Sequence, residues 1–312
     1  MRPSRPRTTP EGGHVPVLLN EVLATLAVRP GEVVVDCTLG KGGHAAELLK
    51  AIGPTGKLIG LDLDSDNLPG ARERLEAVGH PFALHQLNFA GIRQALGSEG
   101  LTHADAILAD LGVSSMQIDD AERGFSFVRD GPLDMRMDRT RGKTATQLLA
   151  TTPAEELARA FAEYGDEPEA AKIAAAIVAN PPTTTRELAA LVEVAAPVRI
   201  EKPRPGVPTV RQQKLRPVAR VFQALRILVN RELANLTALL RTLPDVLSPG
   251  GRVAIISFHS GEDRLVKQAF RDGLRAGVYA ATSDETVRAT WAERQANPRA
   301  RSAKLRWAVK KQ

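Results

Sequence analysis

Cysteine is nearly absent from this chain, which has only Cys37 among its 312 residues. A single cysteine cannot form a disulfide within the chain, and it disfavours a zinc site built on cysteine ligands, so we predict no metal. Long apolar runs are lacking as well, since none approaches the roughly eighteen residues of a membrane-spanning helix. We therefore expect a cytoplasmic protein that does not cross a membrane.

Acidic residues are outnumbered by basic ones, 36 against 42, which gives a net charge of +6 and a pI of about 9.7. Excess positive charge favours phosphate polyanions, because each contact releases counterions. Two segments concentrate this charge, either as RNA-facing clusters or as solvated surface. Their basic residues are Arg199, Lys202, Arg204, Arg211, Lys214, Arg216, Arg220 and Arg226, then Arg294, Arg299, Arg301, Lys304, Arg306, Lys310 and Lys311.

The first third of the chain alternates short apolar strands with helices. The pattern predicts strands at 33–36, 57–62, 82–87 and 106–109, and again at 252–257 and 303–309. Strands this apolar are buried on both faces, as in a parallel sheet covered by helices. The sequence therefore predicts an α/β domain made from both ends of the chain.

Between the two α/β parts the pattern becomes helical. Capping boxes predict helix starts at Thr152 and Thr184, and a long helix is predicted over about 218–243. Five prolines between Pro197 and Pro217 mark an irregular basic connector. We therefore predict a disordered basic tail at 1–12, an α/β domain at 13–117 plus 217–312, and an inserted helical domain at 118–216.

A Gly-rich loop, Asp36-Cys37-Thr38-Leu39-Gly40-Lys41-Gly42-Gly43-His44, joins the first strand to the next helix. It lies at the carboxyl edge of the sheet, where open α/β folds bind ligands, and its glycines let the backbone approach one closely. The spacing matches neither the dinucleotide fingerprint nor a P-loop, which disfavours an oxidoreductase. The loop is either a cofactor-binding loop or an ordinary strand-to-helix turn.

Acidic and aromatic residues follow the next strands in the order that a nucleoside cofactor requires. Asp62 ends the second strand, where a carboxylate can accept both ribose hydroxyls. Phe89 follows the third strand and either packs on an adenine or lies in the core. Asp110 ends the fourth strand. The combination is far more specific than any single member and predicts a nucleoside-cofactor site.

Beyond these local patterns, nearly the whole chain resembles one bacterial family, the 16S ribosomal RNA (cytosine-N4)-methyltransferases known as RsmH or MraW. The resemblance is most specific between Asp110 and Asp138. The chain departs from the family at Met116 and Gly261, where Pro and Leu are usual. The matching segments are 14–19 (HVPVLL), 40–44 (GKGGH), 110–115 (DLGVSS), 120–127 (DAERGFSF), 131–138 (GPLDMRMD), 222–227 (FQALRI), 256–260 (ISFHS) and 297–302 (NPRARS).

The resemblance implies a class I fold dependent on S-adenosyl-L-methionine, with a Rossmann-like, mostly parallel α/β sheet and an inserted helical domain that recognises the substrate. It implies methylation of the exocyclic N4 of cytosine 1402 in 16S rRNA, within the 30S small ribosomal subunit. Whether the protein forms a homodimer is left open. The cofactor contacts that the resemblance implies are Gly42, Gly43, His44, Asp62, Phe89, Asp110 and Gln117.

The cytosine amino group is a poor nucleophile, because its lone pair is delocalised into the ring. Acceptors that hold its N–H bonds, with the base extruded into a pocket, would direct the lone pair at the methyl group. We predict this role for Asp110, with a pure cofactor contact as the alternative. His259 is a second catalytic candidate or else a structural histidine. Phe125 and Phe127 either stack on single-stranded RNA or form a small core of their own loop.

Two rival functions need to be separated from this one. DNA amino-methyltransferases typically carry an Asn/Asp-Pro-Pro-aromatic loop after the fourth strand, where this chain has Asp110-Leu111-Gly112-Val113. A non-catalytic, cofactor-binding ribosome assembly factor would keep the fold without the reaction. Transfer of a labelled methyl group to small ribosomal subunits distinguishes all three.

Overall fold

The computed structural model describes residues 16–198, 200–201 and 209–312. The predicted tail at 1–12 lies outside the described residues, and so do Arg199, Lys202 and Arg204 of the predicted basic connector. Within the described ranges, no helix is both long and apolar enough to cross a membrane.

Seven strands of the described chain form one sheet, in the order β3-β2-β1-β4-β5-β7-β6. The strands β1 to β5 run parallel to one another, and β7 runs antiparallel to both β5 and β6. This mostly parallel, Rossmann-like sheet confirms the predicted fold class. The strands are β1 (Val33–Asp36), β2 (Lys57–Asp62), β3 (Phe82–Gln86), β4 (Ala104–Asp110), β5 (Leu247–Ser257), β6 (Tyr279–Thr282) and β7 (Lys304–Lys310).

Helices surround the sheet and form a separate bundle in the middle of the chain. Short 3-10 turns occur at 65–67, 89–91, 121–123 and 298–301. The helices are α1 (Leu19–Leu26), α2 (Gly43–Ile52), α3 (Leu68–Glu76), α4 (Ile92–Ser98), α5 (Ser115–Asp119), α6 (Ala145–Thr151), α7 (Ala154–Gly165), α8 (Ala170–Ala179), α9 (Thr185–Ala195), α10 (Val210–Lys214), α11 (Arg216–Asn230), α12 (Glu232–Val246), α13 (Ser260–Arg275) and α14 (Trp291–Ala296).

The central strands are buried on both faces because alternate residues enter two different apolar clusters. Val35 and Ile107 pack with residues of α4, α12 and α13. Val34 and Leu108 point the other way and pack with residues of α1, α2 and α3. Successive side chains of a strand point to opposite faces, so a strand covered on both sides must be apolar throughout. The continuous apolar runs in the sequence have this cause.

The chain divides into two compact units, the first containing residues up to Gly112 together with Asn235–Gln312, and the second Val113–Ala234. These boundaries differ from the predicted ones, which placed 113–117 and 217–234 in the α/β domain. The reason for the second difference is α11, which buries Val218, Phe222 and Leu225 in the apolar core of the second unit.

Two local predictions in the helical region were wrong and one was right. The long helix predicted over 218–243 is two helices, α11 and α12, separated at Arg231, whose φ is 52°. Thr152 does not cap α7, which begins after Pro153 without a side-chain cap, because the Thr152 hydroxyl donates back to the Leu148 carbonyl. The capping box at Thr184 is confirmed at the start of α9.

Candidate active site

Three aspartates end neighbouring strands at the carboxyl edge of the sheet in the first unit. Asp36 ends β1, Asp62 ends β2 and Asp110 ends β4. Because β1 lies between β2 and β4, the carboxyl ends of these three strands are adjacent. Within the described chain, no lysine or arginine forms an ion pair with any of the three. This edge of the sheet therefore carries three carboxyl groups that no lysine or arginine side chain neutralises within the described chain.

Asp62 organises the glycine loop. Its Oδ2 atom accepts the Gly40 backbone N–H at 2.7 Å and the Asn67 side-chain amide at 3.1 Å, and its Oδ1 atom accepts the Asp64 N–H at 2.8 Å. Burial raises the pKa of Asp62 to about 6, although these hydrogen bonds act in the opposite direction. Carboxylate oxygens have further lone pairs, so Asp62 can still accept hydroxyl groups of a ribose.

The glycines of the loop are required for different physical reasons. Gly40 and Gly42 have φ values of 51° and 70°, in the left-handed region that disfavours other residues. A Cβ atom on Gly40 would meet nothing within 4 Å, whereas one on Gly43 would lie 2.6 Å from Cγ of Pro16. Gly40 thus leaves open space beside the loop. Gly43 is required by the packing of the chain before α1.

Asp36 is a site residue that the sequence prediction missed. Its side chain is 1% exposed, and its Oδ1 atom accepts the Thr38 N–H at 3.1 Å. The Thr38 hydroxyl in turn accepts the Asp110 N–H, so Thr38 joins the ends of β1 and β4. Burial, followed by the charge of Asp62, raises the pKa of Asp36 to about 7. The signal was available, since Asp36 ends its strand as Asp62 and Asp110 end theirs.

Asp110 faces His44 across the glycine loop. The His44 Nε2 atom lies 2.9 Å from the Val17 carbonyl, which can only accept, so Nε2 carries a hydrogen. The other ring nitrogen, Nδ1, lies 3.8 Å from Oδ2 of Asp110. The two residues that the sequence placed in one site are therefore brought together.

The second oxygen of Asp110, Oδ1, is buried and has no hydrogen-bond partner in the described chain. Burial, and then the charges of Asp36 and Glu262, raise the pKa of Asp110 well above its usual value. A buried acceptor without a donor costs roughly 1–3 kcal/mol, and such groups are rare in native structures. Asp110 is thus placed to take a donor from a bound molecule, or to hold a proton itself.

His259 has a structural position at the start of α13. Its Nδ1 atom accepts the Glu262 N–H at 3.4 Å, and the Glu262 carboxylate accepts the His259 N–H at 3.4 Å, which together form a capping box. The alternative of a structural histidine is therefore supported, while its catalytic role stays a prediction. Glu262, which the sequence analysis also missed, is 2% exposed and acts on the pKa of Asp110.

The remaining predicted contacts, Phe89 and Gln117, lie in different units. Phe89 begins the turn after β3, where it packs partly buried against the apolar cluster of the first unit. Gln117 belongs to the second unit, where its Oε1 atom accepts the Ser114 N–H at 2.9 Å in the capping box of α5. The structure thus gives Phe89 and Gln117 local roles of their own, and their contact with a cofactor stays a prediction.

Several residues predicted to face RNA have partners inside the protein. Arg306 and Lys304 bind the Asp263 carboxylate at 2.7 and 3.2 Å. Arg226 forms a two-pronged pair with Glu232, at 2.8 and 2.9 Å. These cations stabilise the fold, and the pattern of charge along the sequence could not separate them from free surface cations.

The aromatic side chains Phe125 and Phe127 also pack inside the protein, in the second unit. Phe127 stacks edge-on against Phe222, with ring centroids 5.2 Å apart, and both Phe125 and Phe127 pack against the apolar core of that unit. The alternative that they belong to a core is therefore favoured over RNA stacking.

No group of three His, Cys, Asp or Glu side chains in the described chain is arranged to hold a metal ion. The three strand-end aspartates lie at the ends of the neighbouring strands β2, β1 and β4. Carboxylates in this arrangement favour a cation or hydrogen-bond donors spread along the edge of the sheet, as in a nucleoside with a positively charged substituent.

Several known proteins are similar in sequence to this chain over almost its full length. The model of the MraW methylase family matches residues 11–311. Ribosomal RNA small subunit methyltransferase H from Symbiobacterium thermophilum is 44% identical and covers 96% of this chain and 97% of its own length. The protein of that name from Koribacter versatilis is 45% identical, with 96% and 94% covered. Ribosomal RNA small subunit methyltransferase H 1 from Lachnoclostridium phytofermentans is 44% identical, with 97% and 83% covered.

Proposed function

Because this chain belongs to the MraW methylase family, we propose that it methylates the exocyclic N4 of a cytosine in 16S rRNA, cytosine 1402 in the usual numbering. The predicted resemblance is confirmed, and S-adenosyl-L-methionine is the cofactor. Relatives over 40% identical, named as methyltransferases of small-subunit ribosomal RNA, support the choice of RNA. We further propose that the RNA is presented within the 30S subunit, in the cytoplasm.

The observation that carries this proposal is the unpartnered Oδ1 atom of Asp110 among buried acids. A sulfonium is a permanent cation, which a cluster of carboxylates attracts strongly at low local dielectric. A cytosine amine offers N–H donors, which Oδ1 of Asp110 lacks. The residues present therefore fit both the cofactor and the acceptor base.

The cofactor contacts follow from the roles of the loop and strand ends. We propose that Asp62 binds the ribose hydroxyls, that Phe89 packs on the adenine, and that Gly42 and Gly43 bring the loop backbone close to the methionine part. His44 lies beside Asp110, and Gln117 is a further proposed cofactor contact. S-adenosyl-L-methionine supplies an activated methyl group, so the protein has to position the amine rather than create a leaving group.

Asp110 is proposed to act directly on the amine. Its Oδ1 atom accepts one N–H of the cytosine, which directs the nitrogen lone pair toward the methyl carbon and stabilises the positive charge that develops on nitrogen. The raised pKa of Asp110 suits it to take the proton after the nitrogen becomes cationic. The neighbouring His44 ring, fixed by its Nε2 hydrogen bond to the Val17 carbonyl, lies beside this carboxylate.

The experiment is transfer of a labelled methyl group from S-adenosyl-L-methionine to small ribosomal subunits, followed by mass spectrometry of the modified nucleotide. Asp110→Asn removes the acceptor charge, and we expect kcat to fall about 100-fold or more, the cost of one preorganised contact. Asp105→Asn is the matched control, because Asp105 lies at the opposite end of the same strand and binds the Val33 N–H.

Each rival function predicts a different result in this assay. A non-catalytic assembly factor would bind the cofactor and transfer no methyl group, and a DNA amino-methyltransferase would modify DNA instead. Near-normal turnover of Asp110→Asn, with unchanged cofactor affinity, would remove Asp110 from the chemistry and leave it a cofactor contact.

A further inference from the structure

An exposed tryptophan in the first unit has no part in the proposed chemistry. Trp291, the first residue of α14, is 72% exposed. In the part of the chain that the structure describes, its ring makes no aromatic or cation–π contact. Indole is the largest apolar side chain, and Trp and Arg are the residues most enriched where protein surfaces bind partners.

Three exposed arginines lie around this position in the chain, namely Arg288, Arg294 and Arg301. Arg294 follows Trp291 by three residues and shares its face of the helix. The Arg301 side chain donates from Nε to the Arg294 carbonyl at 3.2 Å, which holds the turn after α14 against the end of that helix. Among the described residues, none of the three forms an ion pair with a carboxylate. The segment around Trp291 is therefore basic as well as aromatic.

The helix that carries Trp291, α14, is held against the first unit by hydrogen bonds and buried neighbours. The Glu293 carboxylate accepts the Leu18 N–H at 2.8 Å, and the Thr290 hydroxyl caps the helix through the Glu293 N–H. The flanking residues Ala289 and Ala300 are buried in the core. Residues two apart on a helix point about 200° away from each other, so Trp291 is directed away from the side that Glu293 fixes.

The same attachment connects α14 to the candidate active site within one unit. Leu18, which binds Glu293, follows Val17, whose carbonyl accepts from His44 at 2.9 Å. His44 faces Asp110. Two hydrogen bonds to adjacent residues before α1 therefore join the helix of Trp291 to the histidine beside the reaction centre.

We propose that Trp291, Arg288, Arg294 and Arg301, the Trp291 platform, bind single-stranded RNA beside the target cytosine. A base stacks on the indole ring, and the guanidinium groups contact the phosphates on either side. Charge complementarity favours RNA, since residues 286–302 contain four arginines and a single acid, Glu293, whose carboxylate is already engaged. The proposal rests on the proposed function, because it takes ribosomal RNA as the substrate.

The chain contains only one other tryptophan, Trp307, so the platform can be observed directly by fluorescence. In a Trp307→Phe background, Trp291 is the sole indole, and a mixed-sequence, single-stranded RNA of twelve nucleotides is titrated in. We expect saturable quenching by this RNA and none by inorganic polyphosphate, which has charge but no bases. Binding to the variants is followed by the anisotropy of an end-labelled copy of the same RNA, where Trp291→Ala should weaken RNA binding about 5- to 100-fold, while Trp291→Phe keeps most of it.

Binding is measured without methyl transfer, so the two proposals fail separately. Quenching by RNA in a protein that transfers no methyl group would leave the platform standing and overturn the proposed function. If RNA bound without quenching Trp291, and bound Trp291→Ala as tightly as the parent protein, the Trp291 platform would be overturned and the proposed function would not. Quenching by intact small subunits but not by any RNA would also overturn it, and would indicate a contact with ribosomal protein. Unchanged cofactor affinity in Trp291→Ala controls for folding.

Discussion

Replacing the buried acid at the end of β1 should change the stability of the protein in a pH-dependent way. Asp36→Asn keeps the shape of the side chain and an oxygen that can accept the Thr38 N–H, but removes the ionisable proton. Asp36 has a pKa of about 7 in the folded protein, against an ordinary value of 3.8. Between these values the folded state holds a proton that the unfolded state has lost, so wild-type stability declines as the pH rises from about 4 to 7 and stays low above it.

The size of the effect follows from these two pKa values. At about 1.36 kcal/mol for each tenfold change in proton affinity, ionised Asp36 costs about 4 kcal/mol at pH 8 and about 1.7 kcal/mol at pH 5. The neutral asparagine has no such cost. We therefore expect the advantage of Asp36→Asn over the wild type to grow by roughly 2.5 kcal/mol between pH 5 and pH 8.

Urea unfolding of the cofactor-free protein at the two pH values measures this change directly. Costs particular to asparagine, such as an unsatisfied amide, are present at both pH values and cancel in the difference. Asp284→Asn is the control, because Asp284 is exposed and solvent screens its charge, so its effect should not change with pH. A difference for Asp36→Asn that stays constant to within about 0.5 kcal/mol, roughly one weak contact, would refute the reasoning.

Two further predictions follow from the site. Binding of S-adenosyl-L-methionine should be about tenfold weaker at pH 5 than at pH 8 in calorimetry, because Asp62, with a pKa of about 6, is mostly protonated at the lower pH. S-adenosylhomocysteine has the same ribose and should show the same dependence on pH, whereas a dependence confined to S-adenosyl-L-methionine would contradict the ribose role of Asp62. His259→Ala should lower the free energy of unfolding by about 1 kcal/mol through loss of the helix cap, and His259→Asn should restore it together with turnover. Low kcat in a stable His259→Asn protein would instead assign His259 to the reaction.

Much of the candidate site could be predicted because its residues follow strands of a parallel sheet. Asp62 and Asp110 each come directly after a run of buried apolar residues, and the carboxyl ends of parallel strands share one edge. Asp36 obeys the same rule and was missed, because an acid at the start of a glycine loop reads locally as part of the turn, and its burial appears only in the fold. Glu262 was missed because it enters through a helix cap, which local sequence does not connect to a strand end 150 residues earlier in the chain.

Charge patterns were less informative than strand patterns. Arg294 and Arg306 belong to the same basic run, yet Arg294 is exposed and Arg306 is buried against Asp263. Their difference arises because Arg306 lies in β7, which pairs with β5 and thereby meets the first turn of α13. The sequence of the basic segment by itself does not indicate that β7 pairs with β5.

Local order and composition were enough to establish the alternation of strands and helices, the glycine loop and the acids after the strands, because apolar periodicity and turn chemistry act between near neighbours in the chain. Tertiary structure alone decided that α11 joins the helical unit, that Gly43 is small because of Pro16, and that one oxygen of Asp110 is buried without a donor. Each of these depends on atoms brought together from distant segments, and burial, which sets both packing and pKa, exists only after those segments have met.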